Sequence, residues 1–245
     1  MKLVASLLLA VSLAACGGGT DGNTAAPANP VAGAQAPAGQ DWTQTVSKTA
    51  EGFVMGNPNA PIKLVEYGSR LCPTCKAFAD EGYPSLKDNY VKSGKVSFEY
   101  REFLVHGPMD MPPALIGTCV GAEPFFPLLD QMFANQQQFT EGLQRAAPAV
   151  QQQMQTAKPV DSFRIMAREM GLIDFVKARG VPEAKAVACL SDQKEIDRLA
   201  KQTQDNGPGG NATVSGTPTF LLNGKVAEGV ITWAQMEQAL KAAGA

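Results

Sequence analysis

The sequence predicts an α/β fold in which a helical domain is inserted into a smaller domain that contains the sheet. Residues 43–110 read as strand, helix and strand, residues 111–205 carry helical patterns, and residues 206–245 return to two short strands and a helix. Neither flanking part has enough strands to bury a sheet face alone, so the two parts are expected to build one sheet together.

The first element is an export signal. Met1 and Lys2 begin the chain, and the apolar run "LVASLLLAVSLAA" follows, too short to cross a bilayer but suited to a secretory signal at residues 1–15. The run ends in "LAAC", which resembles the lipobox of bacterial lipoproteins. That resemblance implies that Cys16 is lipidated and that the protein is periplasmic and anchored in a membrane. Gly17, which follows Cys16, resembles the residue that directs such lipoproteins to the outer membrane. The alternative is an ordinary secretory signal cut nearby.

The next segment, residues 16–42, is rich in Gly, Ala, Pro and Asn and has almost no large apolar side chain. Such a segment buries too little surface to offset the entropy of ordering it. We therefore expect a flexible tether between Cys16 and the folded part.

The first half of the sheet follows. "IKLVEYG" and "KVSFEYREFLV" have the composition and alternation of strands, and a helical pattern lies between them. A strand–helix–strand unit of this length predicts two parallel strands. Pro84 lies within the helical pattern and should distort it.

The remaining elements are helices and one hairpin. Pro182 suits the first turn of a helix, and Asp192 with Glu195 has the spacing of a capping box. Asn223-Gly224 predicts a tight turn between two short strands, and Thr232 with Gln235 marks the start of a closing helix.

Composition excludes several functions. The net charge is −2, and there is no run of Lys and Arg, so nothing indicates a nucleic-acid partner. No motif would cradle a phosphate, and the single histidine, His106, excludes a histidine-rich metal site. No cofactor is predicted beyond a redox-active disulfide.

Two cysteines in "CPTC", Cys72 and Cys75, could form half of a metal clip, a structural staple or a redox centre. A metal clip needs two further ligands, and none has matching spacing. Without Cys16, four cysteines remain, and they allow three pairings. The short spacing favours Cys72 with Cys75, which leaves Cys119 with Cys189.

Four features together resemble the thioredoxin superfamily, and within it the DsbA-like thiol–disulfide oxidoreductases. They are "CPTC" at the start of the first long helix, "GTPTF" before a hairpin, "VMGNPNAP" before the first central strand, and the helical insertion. The resemblance covers residues 52–240. It implies a thioredoxin fold with an inserted helical domain.

The resemblance also assigns roles to the two motif cysteines. Cys72 would be the exposed nucleophile, activated by the helix N-terminus, and Cys75 would resolve the mixed disulfide. Pro73 and Thr74 between them would tune the redox potential. Some relatives carry a second disulfide in the insertion, which implies a structural or tuning bond between Cys119 and Cys189; the alternative is two buried thiols.

Three further residues take their roles from the resemblance. Pro218 would be a cis-proline that holds the substrate backbone beside the cysteines and bars metal binding. Thr217 before it would tune the site. Glu66 on the first central strand would be a buried acid that exchanges a proton with Cys75; the alternative is an exposed glutamate at the end of the strand.

The predicted function is an exported thiol–disulfide oxidoreductase acting on reduced or unfolded envelope proteins, with a quinone-linked membrane protein as reoxidase. Two residues leave open a different direction. The strongest oxidants of the family have histidine where this chain has Thr74, and Thr217 before the proline resembles the isomerases. The protein could therefore be an isomerase or reductase supplied by a reductant-delivering membrane protein. A different class also stays open, a metal- or partner-binding module on the same fold.

Overall fold

The computed structural model describes residues 29–245. The predicted signal peptide at residues 1–15, the lipidation site Cys16 and the first part of the tether lie outside these residues. Within residues 29–245, no helix is both long and apolar enough to span a bilayer.

One mixed sheet of six strands forms the centre, in the order β1-β2-β4-β3-β5-β6. The strands are β1 Val46–Lys48, β2 Phe53–Met55, β3 Ile62–Gly68, β4 Val96–Glu102, β5 Thr219–Leu222 and β6 Lys225–Val226. Strands from before and after the helical insertion thus join one sheet, and the predicted thioredoxin-type α/β fold is confirmed.

The central strands β3 and β4 are parallel, as the strand–helix–strand pattern predicted. Helix α1 spans Pro73–Ser85 and contains Pro84, and π-helical turns follow directly at Leu86–Val91. Proline lacks the backbone N–H that the regular helix would use, which accounts for a change of helical geometry at this point.

The insertion consists of eight helices. They are α2 Met111–Cys119, α3 Phe125–Ala134, α4 Gln136–Gln144, α5 Pro148–Thr156, α6 Pro159–Glu169, α7 Leu172–Lys177, α8 Glu183–Cys189 and α9 Gln193–Asn206. Most of them pack around their own apolar cluster. Helix α3 is shared, because Phe125 and Phe126 belong to the core beneath the sheet, where Phe125 stacks on Phe53 at 3.9 Å between ring centroids.

The tether prediction is wrong over its described part, residues 29–42. Val31 donates its backbone N–H to the Gly244 carbonyl at 2.8 Å, and Ala34 donates to the Ser93 carbonyl at 3.1 Å. The buried Trp42 donates its indole N–H to the Ala34 carbonyl at 2.6 Å. Backbone hydrogen bonds and one aromatic anchor therefore order a segment whose composition alone indicated disorder; we call residues 29–42 the N-terminal arm.

The C-terminal part agrees with its sequence signals. Asn223 and Gly224 both have positive φ, 51° and 80°, and form the turn between β5 and β6. Helix α10, Trp233–Ala242, begins with a complete capping box between Thr232 and Gln235. This helix packs on α1 and closes the core beneath the sheet.

Candidate active site

Cys72 lies at the N-cap of α1, directly beyond the end of β3. Its sulfur accepts a hydrogen bond from the backbone N–H of Cys75 at 3.4 Å. Cys72 and Cys75 are both free thiols in the structure. Pro73 occupies the first helical turn, where no N–H is required, so the local sequence suits this helix start.

The surroundings of Cys72 favour its thiolate. The pKa of Cys72 is lowered to about 5, chiefly by hydrogen bonding with the Cys75 thiol, while burial opposes the shift. Thr217 lowers the pKa of Cys72 further. The buried hydroxyl of Thr217 itself has no hydrogen-bond partner among the described residues. Backbone N–H groups of Cys75 and Thr74 add to the effect. Unpaired N–H groups at a helix start stabilise negative charge in this way.

Both cysteines are buried, and Cys72 is only 5% exposed, so the exposed nucleophile that the resemblance implied is not what the structure shows. The thiol of Cys75 nevertheless differs from that of Cys72. It is fully buried, and its pKa is raised well above its usual value, first by burial and then by hydrogen bonding to Cys72 and by the charge of Glu66. One sulfur of the pair is therefore a thiolate at neutral pH and the other a protonated thiol, the asymmetry needed for attack by one and release from the other.

The loop before β5 brings Thr217 and Pro218 to the cysteines. The Thr217–Pro218 peptide bond is cis, as the resemblance implied. In its thiol form Cys72 donates to the Thr217 carbonyl at 3.3 Å. Pro73 and Thr74, the two residues predicted to tune the redox potential, have exposed side chains. Thr74 lowers the pKa of Cys72 through its backbone N–H.

Glu66 is completely buried on β3, which excludes the alternative of an exposed strand-end glutamate. Its pKa is raised to about 8, mainly by burial, although the hydroxyl of Tyr83 donates to Oε2 at 2.9 Å and opposes the shift. The other oxygen, Oε1, has no hydrogen-bond partner among the described residues. A carboxyl of this pKa gains and loses a proton near neutral pH.

The segment between β3 and α1 has anchors that the sequence analysis missed. The Ser69 hydroxyl donates to Asp110 Oδ1 at 2.7 Å, and the buried Arg70 pairs with the buried Glu102 at 2.7 Å. Helix α2 passes so close that a Cβ on Gly117 would lie 2.2 Å from Arg70 Cζ. A basic residue between the apolar strand β3 and the cysteine motif was the available signal, because a buried charge needs a partner.

The second cysteine pair lies elsewhere. Cys119 and Cys189 form a disulfide with a Cα–Cα distance of 5.8 Å, the pairing left over by the short spacing of the first pair. The bond joins the end of α2 to the end of α8. Within residues 29–245, no group of three or more His, Cys, Asp or Glu side chains is arranged to hold a metal ion.

Comparison with known proteins agrees with this geometry. A family model described as "Thioredoxin" matches residues 48–242. A crystal structure of a protein-disulfide isomerase from Novosphingobium aromaticivorans superposes with a TM-score of 0.73 at 33% identity, covering 78% of this chain and 97% of that one.

Two further proteins are more distant. Wolbachia pipientis alpha-DsbA1 shares the fold, with a TM-score of 0.57 at 16% identity over 76% of this chain and 87% of that one. A putative protein-disulfide oxidoreductase of Rickettsia bellii is 26% identical over 175 residues, which is 70% of this chain. The match spans only 57% of that relative's length. The family model covers most of the chain, and the chain belongs to the thioredoxin family.

Proposed function

We propose that the protein is a thiol–disulfide oxidoreductase that forms or exchanges disulfides in other proteins through Cys72 and Cys75. One observation carries this proposal: the pKa of Cys72 is lowered to about 5, while that of its neighbour Cys75 is raised. A buried structural pair would gain nothing from this difference, whereas an exchange reaction depends on it.

In the oxidising direction, the oxidised protein carries a Cys72–Cys75 disulfide. A substrate thiolate attacks Cys72 Sγ, the disulfide breaks, and Cys75 leaves and takes up a proton, for which buried Glu66 is the proposed donor. A second substrate thiolate then attacks the substrate sulfur of the mixed disulfide. The substrate disulfide forms, Cys72 leaves as a thiolate, and the protein holds the two electrons.

The stabilised thiolate also favours the oxidase direction. A reduced form that is stabilised makes the corresponding disulfide a stronger oxidant. The competing function, isomerase or reductase, is favoured by Thr217 before the cis-proline and by the similarity to the protein-disulfide isomerase of Novosphingobium aromaticivorans.

Equilibration with glutathione buffers separates an oxidising from a reducing protein, and a comparison of disulfide formation with disulfide rearrangement separates an oxidase from an isomerase. We expect a reduction potential between about −180 and about −120 mV, the range of protein disulfide isomerase and DsbA. The oxidised protein should introduce disulfides into a reduced, unfolded test protein faster than the reduced protein rearranges a scrambled one. A potential of about −270 mV, together with rearrangement or reduction that is faster than disulfide formation, would indicate an isomerase or reductase instead.

The proposed location is the bacterial periplasm, with a lipid on Cys16 that anchors the chain in the outer membrane. The proposed partners are reduced envelope proteins and a quinone-linked membrane protein that reoxidises Cys72 and Cys75. Growth with a labelled fatty acid should label the chain but not its Cys16→Ser variant, and fractionation should place the label in the outer membrane. Equal recovery of both proteins in the soluble fraction would contradict the proposed lipid anchor.

A further inference from the structure

One side chain of the helical insertion reaches the backbone on both sides of Leu71. Gln136, the first residue of α4, is 5% exposed. Its amide Nε2 donates to the Arg70 carbonyl at 3.0 Å and to the Cys72 carbonyl at 2.9 Å. Both N–H bonds of one amide group are thus directed at the segment that presents Cys72.

The Cys72 carbonyl matters because Pro73 follows it. Proline has no N–H, so the peptide group between residues 72 and 73 can be held by hydrogen bonds through its carbonyl only. That carbonyl accepts from the backbone N–H of Lys76 at 3.1 Å as well as from Gln136. The orientation of this peptide fixes the first turn of α1, in which the Cys75 N–H lies 3.4 Å from the Cys72 sulfur.

The Arg70 carbonyl depends on Gln136 even more. Among the described residues, the Gln136 amide is the one donor found for this carbonyl. A buried carbonyl without a donor is unfavourable, and the backbone tends to turn so that it meets another donor or water. Loss of the amide would therefore free the segment on both sides of Leu71.

We propose that Gln136 is a positioning residue of the redox pair: from the helical insertion it holds the Cys72–Pro73 peptide in the orientation that directs the start of α1 at the Cys72 sulfur. This inference rests on the proposed function of Cys72 and Cys75. It gives the insertion a part in the chemistry, because the identity of one residue on α4 then sets how strongly the sulfur is stabilised as a thiolate.

A purely structural role is the competing explanation, and the chain contains a matched control. Gln202 on α9 is 6% exposed, and its Nε2 donates to the carbonyl of Glu102 at 2.8 Å. Residue type and burial match, and each amide donates to a backbone carbonyl, although Gln202 holds one carbonyl and its Oε1 also accepts from Arg198 at 2.8 Å. The carbonyl that it holds lies at the end of β4 rather than beside Cys72.

The test compares Gln136→Met with Gln202→Met in the full chain. The rate at which iodoacetamide labels Cys72 in the reduced protein is measured against pH, and the equilibrium with glutathione is measured separately. For Gln136→Met we expect the midpoint of the labelling profile to rise and less protein to be reduced at a fixed buffer, by about threefold for each half unit of pKa. Gln202→Met should lower the melting temperature and shift both redox readouts much less than Gln136→Met, because Gln202 is connected to the redox pair only through Glu102, the partner of Arg70.

An unchanged profile and equilibrium in a folded Gln136→Met protein, or equal shifts in both variants, would overturn the proposal. If Gln136→Met does not fold, Gln136→Asn retains the amide on a shorter stem that cannot reach both carbonyls. It should shift both readouts in the same direction by less, and no shift would also overturn the proposal. Failure of the proposed function has a different signature, a wild-type protein without an acidic labelling profile at Cys72.

Discussion

The two cysteine pairs occupy opposite ends of helices. Cys72 precedes the first turn of α1, whereas Cys119 and Cys189 are the last residues of α2 and α8. A helix N-terminus stabilises a thiolate and a C-terminus destabilises it. Asp192, Glu195 and Lys48 line the cleft beside the second pair, so its side chains carry both signs of charge. The positions on the helices therefore predict that the first pair is easier to reduce than the second.

The largest expected effect is the loss of exchange in Cys72→Ser. The hydroxyl cannot form a disulfide, so oxidation and rearrangement of test proteins should both stop, while the circular dichroism spectrum stays native. Cys75→Ser is the paired variant, since Cys72 remains as nucleophile without its resolving thiol, and mixed disulfides with substrate should accumulate on non-reducing gels. Residual exchange in Cys72→Ser would move the chemistry away from this helix start.

Removal of the second pair should affect stability and leave exchange intact. The Cys119–Cys189 bond closes a separation of 70 residues, for which chain entropy gives about 4 kcal/mol of stabilisation. In the double variant Cys119→Ala/Cys189→Ala, urea unfolding should show a loss of this order. Peptide mapping of the wild type across glutathione buffers should find Cys72 and Cys75 reduced first. Reduction of the second pair at the same potential would contradict the helix-end argument.

The buried acid beside the first pair predicts a pH-dependent stability. Burial raises the pKa of Glu66 from 4.5 to about 8, so its contribution to stability is complete below pH 4.5 and is lost as the pH rises through 8. Glu66→Gln keeps an acceptor for Tyr83 and removes this dependence. Relative to wild type, its unfolding free energy should rise by about 1.4 kcal/mol for each pH unit within this window.

Urea unfolding at several pH values between 5 and 8 measures this difference. Glu228→Gln, at an exposed glutamate of the loop after β6, serves as control and should follow the wild-type curve. Parallel curves for Glu66→Gln and wild type would mean that Glu66 has an ordinary carboxyl in the folded protein. Neither substitution should change the reduction of the Cys119–Cys189 disulfide.

The smallest expected effect comes from Thr74→His. Thr74 is exposed, and a histidine at this position can add a donor near the Cys72 sulfur and stabilise the thiolate. The potential should rise, and each 30 mV or so represents about 1.4 kcal/mol. Thr74→Ser is a control without a new cation. An unchanged potential in Thr74→His would show that groups outside the dipeptide set the redox poise.

Much of the fold could be predicted because its signals are local. The alternation in β4, the Asn223-Gly224 turn and the capping box at Thr232 each specify a conformation within a few residues. The cysteine motif is local in the same sense, whereas the role of Pro218 was implied by the resemblance to the family.

Contacts between distant segments could not be predicted in this way. Tyr83 meets Glu66 across 17 residues, and Gln136 meets Cys72 across 64. Neither residue type is unusual in a helix, so nothing in the local pattern marks it. The N-terminal arm was misjudged because backbone hydrogen bonds to Ser93 and Gly244 do not depend on side-chain composition.

The docking of the N-terminal arm determines where the chain leaves the folded body relative to Cys72. Ser93, where the arm is held, precedes the start of β4, and Cys72 follows the end of the parallel strand β3. The arm therefore leaves the body at the end of the sheet opposite to Cys72. If Cys16 carries the proposed lipid, residues 17–28 allow at most about 40 Å between the anchor and the start of the arm. A membrane partner that reoxidises the pair would then have to reach Cys72 at the end of the sheet far from the point where the arm is attached.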